Sequence, residues 1–304
     1  MKVLISGSSG LVGRPLVRHL RARGDSVHRL VRRAESAPDA VRWSPADGSL
    51  PVGALDGVDC VVNLAGENIA GRRWTDAHKA RVLNSRVSST QILSEAIAAS
   101  DRRPSFVSAS AIGYYGDRGQ AWMSEQQGPG DLFLSEVCVA WEAAARRASD
   151  AGARVVHPRI GVVLSKNGGA LKAMLPAFRL GAGGVVGDGK QYMSWITLHD
   201  LIRLLTFLID HNIEGPVNAV SPAPVTNQSF TKALGRALNR PTVVPLPAFA
   251  VKALLGQMGR ELLLASTRAS SQKIQTAGFA FDHDGLERGI MSALDPEPEA
   301  LAHA

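Results

Sequence analysis

The first thirteen residues constrain this chain more than any other stretch. A short apolar run, Lys2 to Ser6, enters the loop Gly7-Ser8-Ser9-Gly10-Leu11-Val12-Gly13, and a helical pattern follows at once. Leu11, Leu16, Val17 and Leu20 fall on one face of that helix, which runs to Arg23 with Gly24 as its stop. A G-x-x-G-x-x-G loop takes its meaning from context, and strand, loop, helix is the context it requires. Gly7 permits the sharp turn, Gly10 lets bare main chain approach a diphosphate, and Gly13 lets the helix pack closely on the sheet. The helix N-terminus adds unpaired N–H groups and the positive end of its dipole. A turn that binds nothing is the alternative. At the first strand of an α/β chain, dinucleotide binding by Gly7, Ser8, Ser9, Gly10, Leu11, Val12 and Gly13 is the stronger reading.

The rest of the first half alternates in the same way. Strands are expected at 26–32, 59–66, 105–113 and 153–165, with helices at 74–100 and 134–152 between them. Strands separated by long helices imply a Rossmann-type α/β fold, a doubly wound parallel sheet covered on both faces. That domain is expected to span 1–165. From 166 to 304 the chain is glycine-rich, broken by Pro176 and mostly helical, which reads as a smaller substrate-side region. Within it, 195–220 carries a helix and a strand and is expected to return to the first domain. The remainder should cover the carboxyl ends of the strands, where open α/β sheets bind ligands. The terminal DPEPEALAHA reads as a disordered tail.

The second strand chooses the dinucleotide. Sites for NAD place an acid at its end to hold the ribose 2′-hydroxyl, whereas this one ends Leu30-Val31-Arg32-Arg33. A planar guanidinium suits a 2′-phosphate, so Arg32, with Arg33 beside it, points to NADP(H). A solvated strand end is the bland alternative.

Composition excludes other classes. The net charge of +7 comes from arginines spread over several helices and strand ends without interleaved aromatics, so no nucleic-acid partner is expected. No apolar run reaches 18 residues, so no membrane span is expected. The opening apolar run is too short for a signal peptide, which favours a cytoplasmic protein. Cys60 and Cys138 lie in apolar segments without metal-ligand spacing; they read as buried free thiols, and no metal is expected. The partner is a small-molecule substrate, and nothing in the sequence encodes an oligomeric state.

Further motifs occur in order: NLAGEN at 63–68, SASAIGYYG at 108–116, WEAAA at 141–145, RIGVVLS at 159–165, a GGAL segment, WITLHD at 195–200, and a tail from PLPAF to AGFAF. Together with the glycine loop they resemble an extended short-chain dehydrogenase/reductase. More narrowly, the chain resembles the atypical "epimerase family protein" group, nucleoside-diphosphate-sugar epimerase-like, with a C-terminal domain of unknown function. The resemblance implies a Rossmann fold with bound NADP(H). It also implies cofactor contacts at Leu64, Ala65 and Gly66 after the strand at 59–66, at Arg86 in the following helix, and at Val162 beside the nicotinamide.

One departure is large. Enzymes of this build carry a tyrosine that moves the substrate proton and a lysine four residues later that lowers its pKa. With Glu142 set on a glutamate common to such helices, Leu134 takes the tyrosine position and Cys138 the lysine position. A neutral thiol is no substitute for an ammonium. The candidate catalytic residues are then Ser110 at the serine position, Tyr114 and Tyr115 in the following loop, and Glu67 beside the cofactor. His199 and Asp200 should begin a helix, Asp200 as its cap, and Trp195 and Gln191 should line the substrate side. The leading reading is an NADP(H)-dependent oxidoreductase for a small polar carbonyl or alcohol. The alternatives are a non-catalytic NADP(H)-binding sensor or scaffold and a sugar-nucleotide epimerase.

Overall fold

Residues 1–33 and 35–295 are described by the computed structural model; the expected tail from 296 onward lies outside the described residues. Strand β1 (Lys2–Ser6) pairs in parallel with β2 (Ser26–Val31) on one side and β4 (Cys60–Asn63) on the other. Helices cover both its faces, which is why Val3, Leu4 and Ile5 form an unbroken apolar run with no exposed surface. β3 (Ala40–Arg42) extends the sheet beyond β2, while β5 (Ser105–Ser108), Val155–Ile160 and Gly215–Ala219 extend it beyond β4. Ser110–Ala111 pairs with Val155–Ile160 as the eighth strand, and every pairing in this sheet is parallel.

Side-chain alternation along each strand separates two cores. Val3 and Ile5 face α1 (Gly13–Ala22) and the helix Leu198–Asp210, packing with Leu16, Leu20, Leu204, Leu205 and Leu208. Leu4, Val61 and Phe106 face α2 (Asp76–Ala99) and the short helix Arg146–Asp150, packing with Leu93, Ile97 and Ala148. Each fully buried Leu or Ile side chain stabilises by about 1.5–3 kcal/mol. Leu198–Asp210 and Gly215–Ala219 thus share one core with β1 and α1, as do Ile274 and Phe279 from near the C-terminus. A third core, with Leu171, Leu175, Phe178, Trp195, Phe230 and Ile290, holds the C-terminal region together.

Local differences from expectation have local causes. The expected strand 153–165 stops at Gly161, where a Cβ would stand 2.6 Å from the Ser194 carbonyl oxygen; Val162–Leu164 then pairs instead with Trp195–Thr197. The expected helix 134–152 is two, α3 (Phe133–Ala143) and Arg146–Asp150, because Ala145 and Ala148 bond three residues back rather than four. Asp200 does not cap its helix. Thr197 does, accepting from the Asp200 N–H at 3.0 Å, while the buried Asp200 carboxylate accepts the Asp282 and His283 N–H groups, each at 2.9 Å. His199 pairs with Asp282, and Arg203 reaches both carboxylates, clasping the C-terminal loop to the helix Leu198–Asp210. Among the described residues no helix is long and apolar enough to cross a membrane.

Candidate functional site

The glycine loop is held by close main-chain packing. Gly7 adopts φ +68°, and a Cβ there would lie 2.6 Å from the Leu64 carbonyl carbon and oxygen. A Cβ on Gly13 would lie 2.2 Å from the Gly7 oxygen. Gly10 differs. It is exposed, and an added Cβ would meet only the Gly7 oxygen, at 3.2 Å. The loop therefore turns a bare strip of main chain outward at the start of α1, the shape and polarity that a diphosphate fills. Ser8 is buried, Ser9 exposed, and Leu11 and Val12 half-buried. The Leu11 side chain meets Gly168 and Gly169 of the C-terminal region, where a Cβ on Gly168 would come within 2.9 Å of it.

Two neighbouring strand ends complete the cradle. Asn63 ends β4, accepts from the Ser6 hydroxyl and donates to Thr90 Oγ1 of α2 at 2.8 Å. The chain then passes Gly7 as Leu64-Ala65-Gly66, with the Leu64 N–H on the Ser6 oxygen at 3.2 Å. On the other side, Leu30 of β2 pairs with Ser6, so Arg32 and Arg33 emerge beside the glycine turn, both exposed. Val162 is half-buried and donates its N–H to the Ser194 oxygen at 2.8 Å.

Arg86 lies beneath the far end of this path. Its guanidinium is so close under Gly66 that a Cβ there would be 3.0 Å from Cζ. Nη1 donates to the carbonyl oxygens of Glu67 at 3.1 Å and Val82 at 3.0 Å, and Cζ stands 5.0 Å from the Trp141 ring centre. The residue is 8% exposed and, among the described residues, has no carboxylate at ion-pair distance. Burial depresses its pKa, partly offset by Cys138 and Glu67. The Cys138 thiol donates to the Ala111 oxygen at 3.6 Å; burial raises it to about 11, as it does the Cys60 thiol, so neither is a ready nucleophile.

The hydroxyl groups expected to relay protons are placed otherwise. Ser110 is buried and donates to Glu142 Oε1 at 2.7 Å. Arg159 grips the same carboxylate through Nε at 2.8 Å and Nη2 at 2.9 Å, and its Nη1 donates to Tyr115 Oη at 3.0 Å. Tyr115 has no exposed surface, donates to Asn218 Oδ1 at 2.7 Å, and has its phenol pushed up to about 12 by burial. The Tyr114 ring lies 3.5 Å from Arg159 Cζ and lines a cavity of about 540 Å³ with Glu142, His157, Val155 and Gly215. From there the cavity extends to Gly152, Ala153 and Gly215 near the amino ends of the last two strands. Ser110 and Tyr115 are thus engaged by the Arg159 network, and the Tyr114 ring is stacked on its guanidinium. A buried guanidinium needs its acceptors, and these residues supply them. Glu67 is half-buried in the loop after Gly66, and among the described residues its carboxylate has no hydrogen-bond partner.

Trp195 also departs from expectation. It is fully buried in the C-terminal core with its indole N–H on the Ala223 oxygen at 2.8 Å, so it cannot line a substrate. Gln191 is buried too, donating to the Val186 and Leu263 oxygens at 3.0 and 2.9 Å and tying two loops together. Sequence reasoning missed Glu261, which reaches from the C-terminal region to accept the first N–H groups of α3, Leu134 at 3.0 Å and Phe133 at 3.3 Å. No spacing in the sequence signals a cap from more than a hundred residues away.

The sheet order, glycine cradle and returning C-terminal region define a Rossmann-type nucleotide-binding protein of the short-chain dehydrogenase/reductase kind. Residues 3–220 match the NAD dependent epimerase/dehydratase family, and 246–291 match a domain of unknown function. An epimerase family protein of Mycobacterium bovis, Mb2239, is 47% identical over 289 residues, 95% of this chain and 96% of that protein. The crystal structure of human epimerase family protein SDR39U1 with NADPH superimposes with TM-score 0.88 at 36% identity, over 96% of this chain and 99% of the other. A nucleoside-diphosphate sugar epimerase from Corynebacterium glutamicum gives TM-score 0.79 at 37% identity, over 97% of this chain but 58% of that one. This chain belongs to the epimerase family, in the branch that carries the C-terminal domain of unknown function.

Proposed function

We propose that this protein is an NADP(H)-dependent oxidoreductase of the atypical short-chain type, acting on a small polar carbonyl or alcohol. The observation that carries the reading is the glycine cradle: Gly7 and Gly13 have no room for a Cβ, whereas Gly10 turns bare main chain outward. The diphosphate fits there, Arg32 and Arg33 stand ready for a 2′-phosphate, and Leu64 to Gly66 guide the nicotinamide half onward. The human relative seen with NADPH supports the same cofactor here. Bound in this cradle, the reduced nicotinamide supplies a hydride.

The protein's own part is the proton. Glu67 follows Gly66 at the cradle, and among the described residues its carboxylate has no hydrogen-bond partner, whereas Ser110 and Tyr115 are held by Glu142 and Asn218. In reduction its carboxyl gives a proton to the carbonyl oxygen; in oxidation its carboxylate takes that proton back. Epimerisation through a keto intermediate draws no support from a site without the tyrosine–lysine pair. The sensor reading keeps one specific support, the commitment of Ser110 and Tyr115 to the Arg159 network.

The test follows NADPH consumption by the purified protein across a panel of aldehydes and ketones. A substrate is expected, and Glu67→Gln should slow the chemical step by about a hundredfold or more. Consumption by none of the panel, with NADPH nonetheless bound, would favour the sensor. An unchanged rate in Glu67→Gln would remove Glu67 from its role.

A further inference from the structure

We infer that Arg86 supplies, from α2, the fixed positive charge that the missing lysine of α3 would have placed beside the cofactor. The inference rests on the cofactor reading above and deepens it. The two positions converge in space. Cys138 occupies the lysine position on α3, and Arg86 reaches that helix, its Cζ 5.0 Å from the ring of Trp141. Gly66 has no side chain, so the guanidinium can lie directly beneath it, where a Cβ would be 3.0 Å from Cζ. Trp141, one turn beyond Cys138, offers its ring to the cation's face.

Among the described residues this charge has no carboxylate at ion-pair distance, although it is buried. Of the two buried arginines among the described residues, Arg159 pairs with Glu142, whereas Arg86 pairs with no carboxylate. Arg86 is as inaccessible as a core residue, yet among the described residues it meets carbonyl oxygens and an aromatic face. A buried cation without an anion is costly unless a ligand completes it. Nη2 carries no bond to another residue and lies within 3.2 Å of where a Gly66 Cβ would be, so its donors face the path that follows Leu64 to Gly66. Ribose hydroxyls on the nicotinamide side are acceptors of the right kind for those donors.

A fixed cation here discriminates between the two forms of the cofactor. The oxidised nicotinamide ring is positive and the reduced ring neutral, so Arg86 disfavours NADP⁺ relative to NADPH. In a poorly solvated site this is worth roughly tenfold in affinity. The loaded protein therefore rests with reduced cofactor, ready to give up hydride.

The experiment measures dissociation constants of NADPH and NADP⁺ for the intact protein by calorimetry, with melting curves to confirm folding. Wild type should bind NADPH about tenfold more tightly than NADP⁺. Arg86→Met should bring the ratio close to one, and Arg86→Lys should keep it. Cys138→Lys added to Arg86→Met should restore it by returning an ammonium to α3. A ratio unchanged in Arg86→Met overturns the inference, as does loss of the preference in Arg86→Lys. Should Arg86→Met fail to fold, the Arg86→Lys ratio still decides. Binding of neither form by wild type would instead bring down the cofactor reading itself.

Discussion

A single methyl group at Gly10 should abolish useful cofactor binding and leave the fold intact. The space around the three loop glycines makes that separation possible. At Gly13 a Cβ would enter the van der Waals shell of the Gly7 oxygen, at 2.2 Å, and of Ser8 Cα, at 2.8 Å. Gly13→Ala must therefore move the loop, and a cost of about 1–3 kcal/mol is expected together with lost binding. At Gly10 the backbone is not in the left-handed region and the only neighbour is one oxygen at 3.2 Å. Alanine there asks the Gly7 oxygen to give by only a few tenths of an ångström, far less than at Gly13, and its methyl occupies the seat of the phosphate. Main-chain hydrogen bonds to a charged group contribute about 1.5–3 kcal/mol each. Losing them weakens NADPH binding by roughly a hundredfold or more. Calorimetry beside thermal melts should show Gly10→Ala with a native melting temperature and weak binding, and Gly13→Ala impaired in both. Retained affinity in Gly10→Ala would place the diphosphate elsewhere.

The second large effect is on stability. Glu142→Ala removes the carboxylate that Arg159 grips through two nitrogens and that Ser110 also bonds. The Arg159 side chain is 3% exposed, so the orphaned guanidinium has little access to water. Breaking such a pair from one side costs about 3–5 kcal/mol. Removing the cation as well, by Arg159→Met, should recover much of that loss, because two well-packed neutral groups are less costly than one buried charge. Urea denaturation of the two single variants and the double variant measures the coupling. Additive losses would show that the pair is not the unit described. Tyr115 adds a pH signature. Its folded value, about 12, lies above the ordinary phenol value of 10.0. The neutral phenol therefore stabilises fully below that ordinary value, and the contribution is lost as pH rises through about 12. Tyr115→Phe should lack that part of the alkaline decline.

These two sites mark how far sequence alone reaches. The glycine loop is legible because its parts are adjacent: strand, turn and helix follow one another, and each glycine answers a local demand. The parallel sheet is legible for a similar reason, since a strand buried on both faces must be apolar throughout, as Val3 to Ile5 are. The Arg159 network is not local. Tyr115 and Asn218 are 103 residues apart, and an asparagine within GPVNAV announces no partner. Ser110 and Tyr115 occupy positions that look catalytic by spacing, but spacing does not say which way a hydroxyl turns. Their direction follows from where Arg159 lies on the neighbouring strand. Resemblance puts Arg86 at the cofactor, while its burial against Trp141, away from any carboxylate among the described residues, follows from the packing of α2 against α3.

The central claim is that NADP(H) sits on this loop with its 2′-phosphate held by Arg32. Parallel titration of NADPH and NADH into wild type and Arg32→Ala tests it directly. Wild type should prefer NADPH by roughly tenfold or more, and the preference should vanish in Arg32→Ala as NADPH weakens and NADH stays the same. Equal affinity for both coenzymes in wild type, or no binding of either, would contradict it.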